Sequence, residues 1–350
     1  MSERVFIGYN NIVSLGTLLK KGFNHLNIEA DFYSTEKNRS VYDYYGNEEF
    51  FILKFSKIKL TRYLQSIFFL LKIALKYKYF IFIQRGGLLT NYKDIRFLKL
   101  IGKKTAIVFA GCDIRMPEKV AEFKWNPCSN CTVDYQTMVN CDIAKKKNEL
   151  KSIEKYFDFI FSPDECAGFI KRKYYSHYFP VDFEYIAKYK VKNIKDSTSP
   201  FTILHAPSNY HIKGTAFIEK TIEDIKKKYP NILYKRLQGL PKTEIIKEIN
   251  NADMVIDQML VGFYGVLAVE AMALEKPVVC YIRPDLWKNM KDSCPIINAD
   301  PENLEEVLES LIKDQSALHE LGHRSRQYAL EYHSPQKTAE IMLRIFREKN

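Results

Sequence analysis

Residues 261–280 (VGFYGVLAVEAMALEKPVVC) gather two glycines, a helix start and a carboxylate within that helix, Glu270, ahead of an apolar strand. Gly262 and Gly265 permit close approach of backbone to a ligand, and a helix over 264–274 aims the positive end of its dipole at an anion placed there. Glu270 is flanked by Val269, Ala271 and Met272, so its carboxylate needs a hydrogen-bonding partner. The plainer reading is an ordinary helix between two parallel strands, with Glu270 on a solvated edge. A second loop, 205–215 (HAPSNYHIKGT), sets Lys213 and Gly214 at another helix start, where an ammonium and unbonded amide hydrogens suit a diphosphate.

Three further loops end strands in the first half. In 8–16 (GYNNIVSLG), Asn10, Asn11 and Ser14 could meet acceptor hydroxyls, and in 84–87 (QRGG) Arg85 stands beside two glycines. In 109–115 (FAGCDIR), Asp113 and Arg115 read either as substrate contacts or as an ion pair with each other. Cys112, Cys128, Cys131 and Cys141 fall within thirty residues, around a C-x2-C pair. That spacing points to a structural zinc in a chain kept from oxidising conditions, with free thiols or a redox role as the other readings. Cys166, Cys280 and Cys294 read as packing residues.

The elements that must position these groups alternate strand and helix throughout, which predicts α/β architecture with parallel sheets. Strands are expected near 4–9, 28–33, 50–54, 79–84, 104–109, 158–162 and 177–180, and helices near 14–26, 61–77, 92–101, 147–156 and 164–173. After a linker-like stretch at 185–200, a second set begins: strands at 201–205, 232–236, 254–257 and 277–282, with helices at 215–228 and 242–250. Helices alone follow, at 302–313, 315–332 and 335–347. The expected division is a first domain over 1–184 carrying the cysteine-rich loop 112–141, a linker over 185–200, a nucleotide-type domain over 201–334, and a final helix, 335–350, returning to the first domain. Two doubly wound domains place their ligand sites at the carboxyl ends of the strands, facing a cleft.

Composition narrows the partners. A 46% hydrophobic, 27% charged chain is globular, and 53 basic against 42 acidic residues, net +11, favours anions. The basic residues are dispersed rather than interleaved with aromatics, which argues against nucleic acid. Met1 leads straight into a strand pattern with no export signal, so a cytoplasmic location is expected, alone or on the inner face of a membrane. The greasy run 64–75 is shorter than the roughly 20 residues a span needs. It reads as a core helix, or as an interfacial one flanked by Lys57, Lys59, Arg62, Lys76 and Lys78.

Taken together, 205–215 and 261–280 resemble the retaining glycosyltransferases of the GT-B fold, the group that includes bacterial capsule, lipopolysaccharide and exopolysaccharide sugar transferases. The resemblance covers 200–350 well and the first half more loosely. It implies two Rossmann-like domains and hexosyl transfer, with retention, from a nucleotide-sugar donor to a glycan or lipid-linked acceptor. It further implies Lys213 on the donor diphosphate, Glu270 on the ribose hydroxyls, and backbone contacts from Gly262, Phe263, Tyr264 and Gly265. The Ala252-Asp253 pair fits the family as well. Two departures stand out: Gly262 occupies the place of a first glutamate, eight before Glu270, and Ser208 that of an arginine, five before Lys213. His205, Asn209 and His211 are nearby substitutes, and His205, Asp113 and Arg115 are the candidates for chemistry, since no general base is evident. No cofactor is expected in the reaction itself. The alternatives are a non-catalytic nucleotide-sugar-binding or scaffold member of a polysaccharide assembly complex, and a sugar-nucleotide epimerase.

Overall fold

A computed structural model describes residues 3–35, 50–84, 86–139, 141–191, 199–290 and 292–348. The chain divides into two compact units. Unit 1 comprises Met1–Met116, Thr137–Pro180 and Pro335–Asn350, and unit 2 comprises Pro117–Gln136 and Val181–Ser334.

Unit 1 contains β1 (Arg4–Tyr9), β2 (Glu29–Ser34), β3 (Phe51–Ile52), β4 (Tyr79–Ile83), β5 (Lys104–Val108), β6 (Phe159–Ser162) and β7 (Tyr175–Ser176). They form one parallel sheet in the order β3-β2-β1-β4-β5-β6-β7. β1, β4 and β5 are buried over nearly their whole length because both sheet faces are covered. Alternate side chains therefore serve two cores: Val5, Ile7, Ile81 and Ile83 on one side, Phe6, Phe80 and Phe82 on the other.

The first of these cores is closed by the C-terminal helix Pro335–Glu348. Its Phe346 is fully buried, stacks on Tyr79 at 5.0 Å between ring centroids, and meets Phe159 at 5.2 Å. The helix runs so close to Leu15–His25 that a Cβ on Gly22 would stand 2.0 Å from the Pro335 carbonyl oxygen. At its far end the Arg347 guanidinium holds the Glu3 carboxyl down to about 2.

Unit 2 holds β8 (Phe201–His205), β9 (Ile232–Arg236), β10 (Met254–Ile256), β11 (Val278–Cys280) and β12 (Ile297–Asn298). All are parallel, in the order β12-β11-β10-β8-β9. Helices Thr215–Lys228, Lys242–Asn251, Val266–Ala273, Leu304–Lys313 and Ser316–His333 fall in the connections and after the last strand.

Several boundaries differ from the expected ones. Residues 117–136 belong with unit 2 rather than with the first domain, because Trp125 packs edge-on to Phe217 and Phe123 lies under the Arg283 guanidinium at 4.0 Å. The first part of the expected linker is also folded. Phe183–Ile186 is a helical turn capped by Asp182, Tyr189 donates to the Thr243 carbonyl, and Asn250 donates to that of Lys190. Linker residues 192–198 lie outside the described residues. The helix expected over 164–173 is a 3-10 turn ending at Phe169. Beyond it, Glu154 accepts the amides of Lys171 and Arg172, which turns the chain toward β7.

Candidate functional site

In unit 2 the strand order reverses between β8 and β10, since β8 continues outward to β9 and β10 continues the other way. Ligands of open α/β sheets bind outside the carboxyl ends of such a pair. The two loops there are 206–214 and 257–265, the segments that carry Lys213 and the Gly262–Gly265 turn.

The loops are tied to one another. Gly214 is left-handed, with φ +76°, and lies against Met259 and Leu260 so closely that an added Cβ would sit 3.0 Å from each. The Met259 amide donates to the Lys213 carbonyl at 2.9 Å. The Lys213 ammonium donates to the Gln258 side-chain oxygen, and the Gln258 amide nitrogen donates in turn to the Phe263 carbonyl. Asp257, also buried, accepts the Gly265 amide at 2.5 Å, just where the helix Val266–Ala273 begins. Burial raises the Asp257 carboxyl above its usual range, while the Lys213 charge and the Gly265 amide pull it back. A Cβ at Gly265 would stand 3.2 Å from Asp257 Oδ2 and 3.4 Å from Lys213 Nζ, so a side chain there would wedge the cation aside. The result is a half-buried ammonium held beside the amino end of a helix, an electropositive point on a rigid frame.

Glu270 lies in the second turn of the same helix and is buried. Its Oε1 meets the ammonium of Lys242, itself only 11% exposed, at 2.7 Å. Sequence reasoning did not single out Lys242, because it lies after β9, twenty-eight residues away. Asp257 and Gln258 were missed too, although they immediately follow β10 at the switch point, the position that would have exposed them.

Gly262 has φ +82°, and an added Cβ would meet Arg283 Cγ at 2.8 Å. Arg283 is clamped by Asp285 through two contacts of 2.9 Å, so its stem occupies the space a larger residue at 262 would require. The missing glutamate is thus a packed glycine. Phe263 and Tyr264 are buried and stacked at 4.5 Å, with the Tyr264 hydroxyl among Tyr328 and His333. Their side chains anchor the turn and do not line its surface. Asn209 caps the turn Tyr210–Lys213 by accepting the His211 and Ile212 amides, and Ser208 is exposed.

His205 is fully buried rather than a loop residue open to substrate. Its Nδ1 donates to the Ile256 carbonyl and its Nε2 accepts from Thr215 Oγ1, both at 2.8 Å, which ties β8 to β10 and to the next helix. Burial pushes the imidazole down to about 4 from 6.5. Between these pH values the unfolded chain binds a proton that the folded one refuses, so this contribution is complete above pH 6.5 and is lost as pH falls toward 4. The expected loss is about 3 kcal/mol. Urea midpoints of wild type and His205→Asn across that range should converge on acidification, and parallel curves would refute the assignment.

In unit 1 the reversal lies between β1 and β4. Asn10 and Gln84 meet there, with Asn10 Nδ2 3.1 Å from Gln84 Oε1. Asn11 and Ser14, expected to meet an acceptor, are buried instead: Asn11 Oδ1 accepts the Gly16 and Thr17 amides, and the Ser14 carbonyl accepts from Thr17 Oγ1. Arg85 lies outside the described residues. Asp113 is half-buried and accepts the Ala110 amide, and burial pushes its carboxyl up to about 6. Arg115 is buried and pairs with Glu165 at 3.4 Å, and its charge also draws the Asp113 carboxyl back down.

The four cysteines are divided, Cys112 and Cys141 in unit 1 and Cys128 and Cys131 in unit 2. Cys112 Sγ lies 3.3 Å from Arg115 Nη1, and Cys141 Sγ 3.3 Å from Lys146 Nζ. Among the described residues no group of three or more His, Cys, Asp or Glu is placed to hold a metal ion.

No protein-family model matches the sequence, and no curated protein is significantly similar to it. Solved structures do match over essentially the whole chain. Anabaena HepE in complex with UDP and glucose superposes with a TM-score of 0.62 at 11% identity, covering 99% of this chain and 100% of that one. Sucrose-phosphate synthase from Thermosynechococcus elongatus gives 0.61 at 10% identity, covering 99% of both chains. A UDP-GlcNAc 2-epimerase from Methanocaldococcus jannaschii gives 0.51 at 12% identity, covering 99% of this chain and 100% of that one. The fold is that of the GT-B glycosyltransferases, two Rossmann-like units in one chain.

Proposed function

We propose that the chain is a glycosyltransferase that takes a hexosyl group from a nucleotide-sugar donor and passes it, with retention, to a glycan or lipid-linked acceptor in bacterial surface polysaccharide synthesis. One observation carries this reading: at the switch point of unit 2, Lys213 stands beside the amino end of the helix that also holds the buried Glu270. The diphosphate of the donor would lie on Lys213 and on the half-exposed first turn, at residues 265–267. Glu270, poised by Lys242, would take the ribose hydroxyls. As the glycosidic bond breaks, charge develops on the departing diphosphate, and a fixed ammonium with aligned amides stabilises it. HepE is a GT-B protein solved with UDP and glucose, which supports a uridine donor as the first to test.

Lys213→Ala is expected to lower turnover by about a hundredfold. A panel of nucleotide sugars, scored for hydrolysis and for transfer, checks this. If both proteins turn over every donor equally, the assignment fails.

The packed Gly262 favours a second reading, a nucleotide-sugar-binding member of an assembly complex that has lost turnover. Donor binding with no transfer or hydrolysis across the panel would select it. Epimerases share the architecture at lower structural similarity, and conversion of a UDP-sugar to its epimer without an acceptor would mark that chemistry.

A further inference from the structure

The helix Lys59–Lys76 carries two apolar faces, and unit 1 uses only one of them. Leu70, Ile73 and Ala74 are buried in the core that contains Phe6, Phe80 and Phe82. Leu60, Leu64, Phe68, Leu71 and Leu75 succeed one another at intervals of four, four, three and four residues, which aligns them as a second stripe. Leu75 is 82% exposed, Phe68 73%, Leu60 69% and Leu64 58%. Soluble proteins rarely leave a continuous row of such side chains open to water unless something covers it.

Charge indicates what covers it. From Phe50 to Lys93 the sequence contains no Asp or Glu. Lys54, Lys57, Lys59, Arg62 and Lys72 are all exposed, and among the described residues none of these five pairs with a carboxylate. Lys76 and Lys78 differ: they are held by Glu29, Asp31 and Glu3. Arg62 Nε donates to the Ser56 carbonyl at 3.0 Å, and the Ser56 amide donates to Gln65 Oε1 at 2.7 Å. These bonds fold the segment bearing Lys54 and Lys57 back onto the helix's first turns. A leucine-rich stripe and exposed cations are thus carried on one small part of unit 1.

We propose that this face of unit 1 docks on an anionic lipid surface, with Phe68 and the leucines entering the apolar boundary and the five cations meeting the headgroups. Among the described residues no helix is long and apolar enough to cross a membrane. An apolar stripe along one side with cations beside it suits a helix lying in the plane of the surface. The proposal stands apart from the transferase reading, since vesicle binding requires neither donor nor turnover.

Sedimentation of the full chain with phosphatidylcholine vesicles, with and without phosphatidylglycerol, tests it. Wild type is expected to bind the mixed vesicles in a salt-sensitive way and the neutral ones more weakly. The double variant Leu64→Glu/Phe68→Glu alters exposed positions, so its thermal melting should match wild type while its vesicle affinity falls by about tenfold or more. Lys57→Glu/Lys59→Glu should lose the preference for anionic vesicles. The proposal is overturned if wild type fails to bind mixed vesicles at low salt, or if Leu64→Glu/Phe68→Glu binds them as wild type does. It is equally overturned if equilibrium sedimentation finds a dimer that Leu64→Glu/Phe68→Glu abolishes, because the stripe then belongs to a second copy of the chain.

Discussion

Glu270→Ala is expected to lose nucleotide binding and to destabilise unit 2 at the same time, and the two effects have separate causes. The pair Glu270–Lys242 is 1% and 11% exposed, with 2.7 Å between the charged atoms. Removing one partner of a buried pair leaves the other charge in a poorly solvating environment, a cost of about 3 kcal/mol. Chemical denaturation should therefore show that Glu270→Ala and Lys242→Ala each lower stability, and that Glu270→Met/Lys242→Met loses less than the sum of its singles. Binding is isolated with Glu270→Gln, which keeps the shape and removes the charge. Loss of a charge-assisted hydrogen bond to a ribose hydroxyl is worth about 1.5–3 kcal/mol, so UDP affinity by calorimetry should fall by about tenfold or more. Lys213→Ala should weaken UDP at least as much, through the diphosphate. Wild-type affinity in both Glu270→Gln and Lys213→Ala would falsify the placement of the donor.

The second large effect is structural and lies in unit 1. Gly22 sits within the helix Leu15–His25, where Ala would ordinarily stabilise by about 1 kcal/mol. Here the sign should reverse. The Cβ would lie 2.0 Å from the Pro335 carbonyl oxygen and 2.5 Å from its carbon, backbone atoms that no rotamer change can move. To relieve the overlap, the helix Pro335–Glu348 must shift and draw Phe346 away from Tyr79 and Phe159. Overpacking and the lost aromatic contact together should cost about 3 kcal/mol or more in Gly22→Ala, and still more in Gly22→Val. Urea unfolding measures this, and limited proteolysis should cut the C-terminal helix of Gly22→Val first. A midpoint in Gly22→Ala equal to or above that of wild type would show that the two helices do not approach so closely.

Most strands could be read from the chain because they are short apolar runs between helical patterns, and β1, β4, β8 and β9 lie within a residue of the expected bounds. The two-residue strands were harder: β12 (Ile297–Asn298) is too short to show a pattern and was not expected, and β7 lies at Tyr175–Ser176 rather than 177–180. The failures have local causes. The stretch 185–200 has a linker's composition, yet Tyr189 donates to the Thr243 carbonyl and Asn250 to that of Lys190, contacts between residues more than fifty apart in sequence. His205, Asn11 and Ser14 were read as loop residues facing a ligand because polar side chains at strand ends often are. The Asn11 and His205 side chains instead bond backbone groups and Thr215, and Ser14 is buried. The greasy segment 64–75 was expected to bury its apolar side, but its leucines occupy two faces, and periodicity alone does not say which one meets the sheet.

The sequence by itself determined the α/β class, the parallel sheets and the two segments, around Lys213 and Glu270, to which the donor site is assigned by proposal. These follow from local pattern: apolar runs, glycines at turns, and charged side chains at helix starts. Only the tertiary structure decided that Lys242 meets Glu270, that Asp257 and Gln258 hold Lys213 and the helix amide, and that Arg283 fills the space beside Gly262. It also showed which face of Lys59–Lys76 stays open to solvent. Each of these depends on burial and on distances between residues far apart in the chain, and those are set by how the sheets pack their connections.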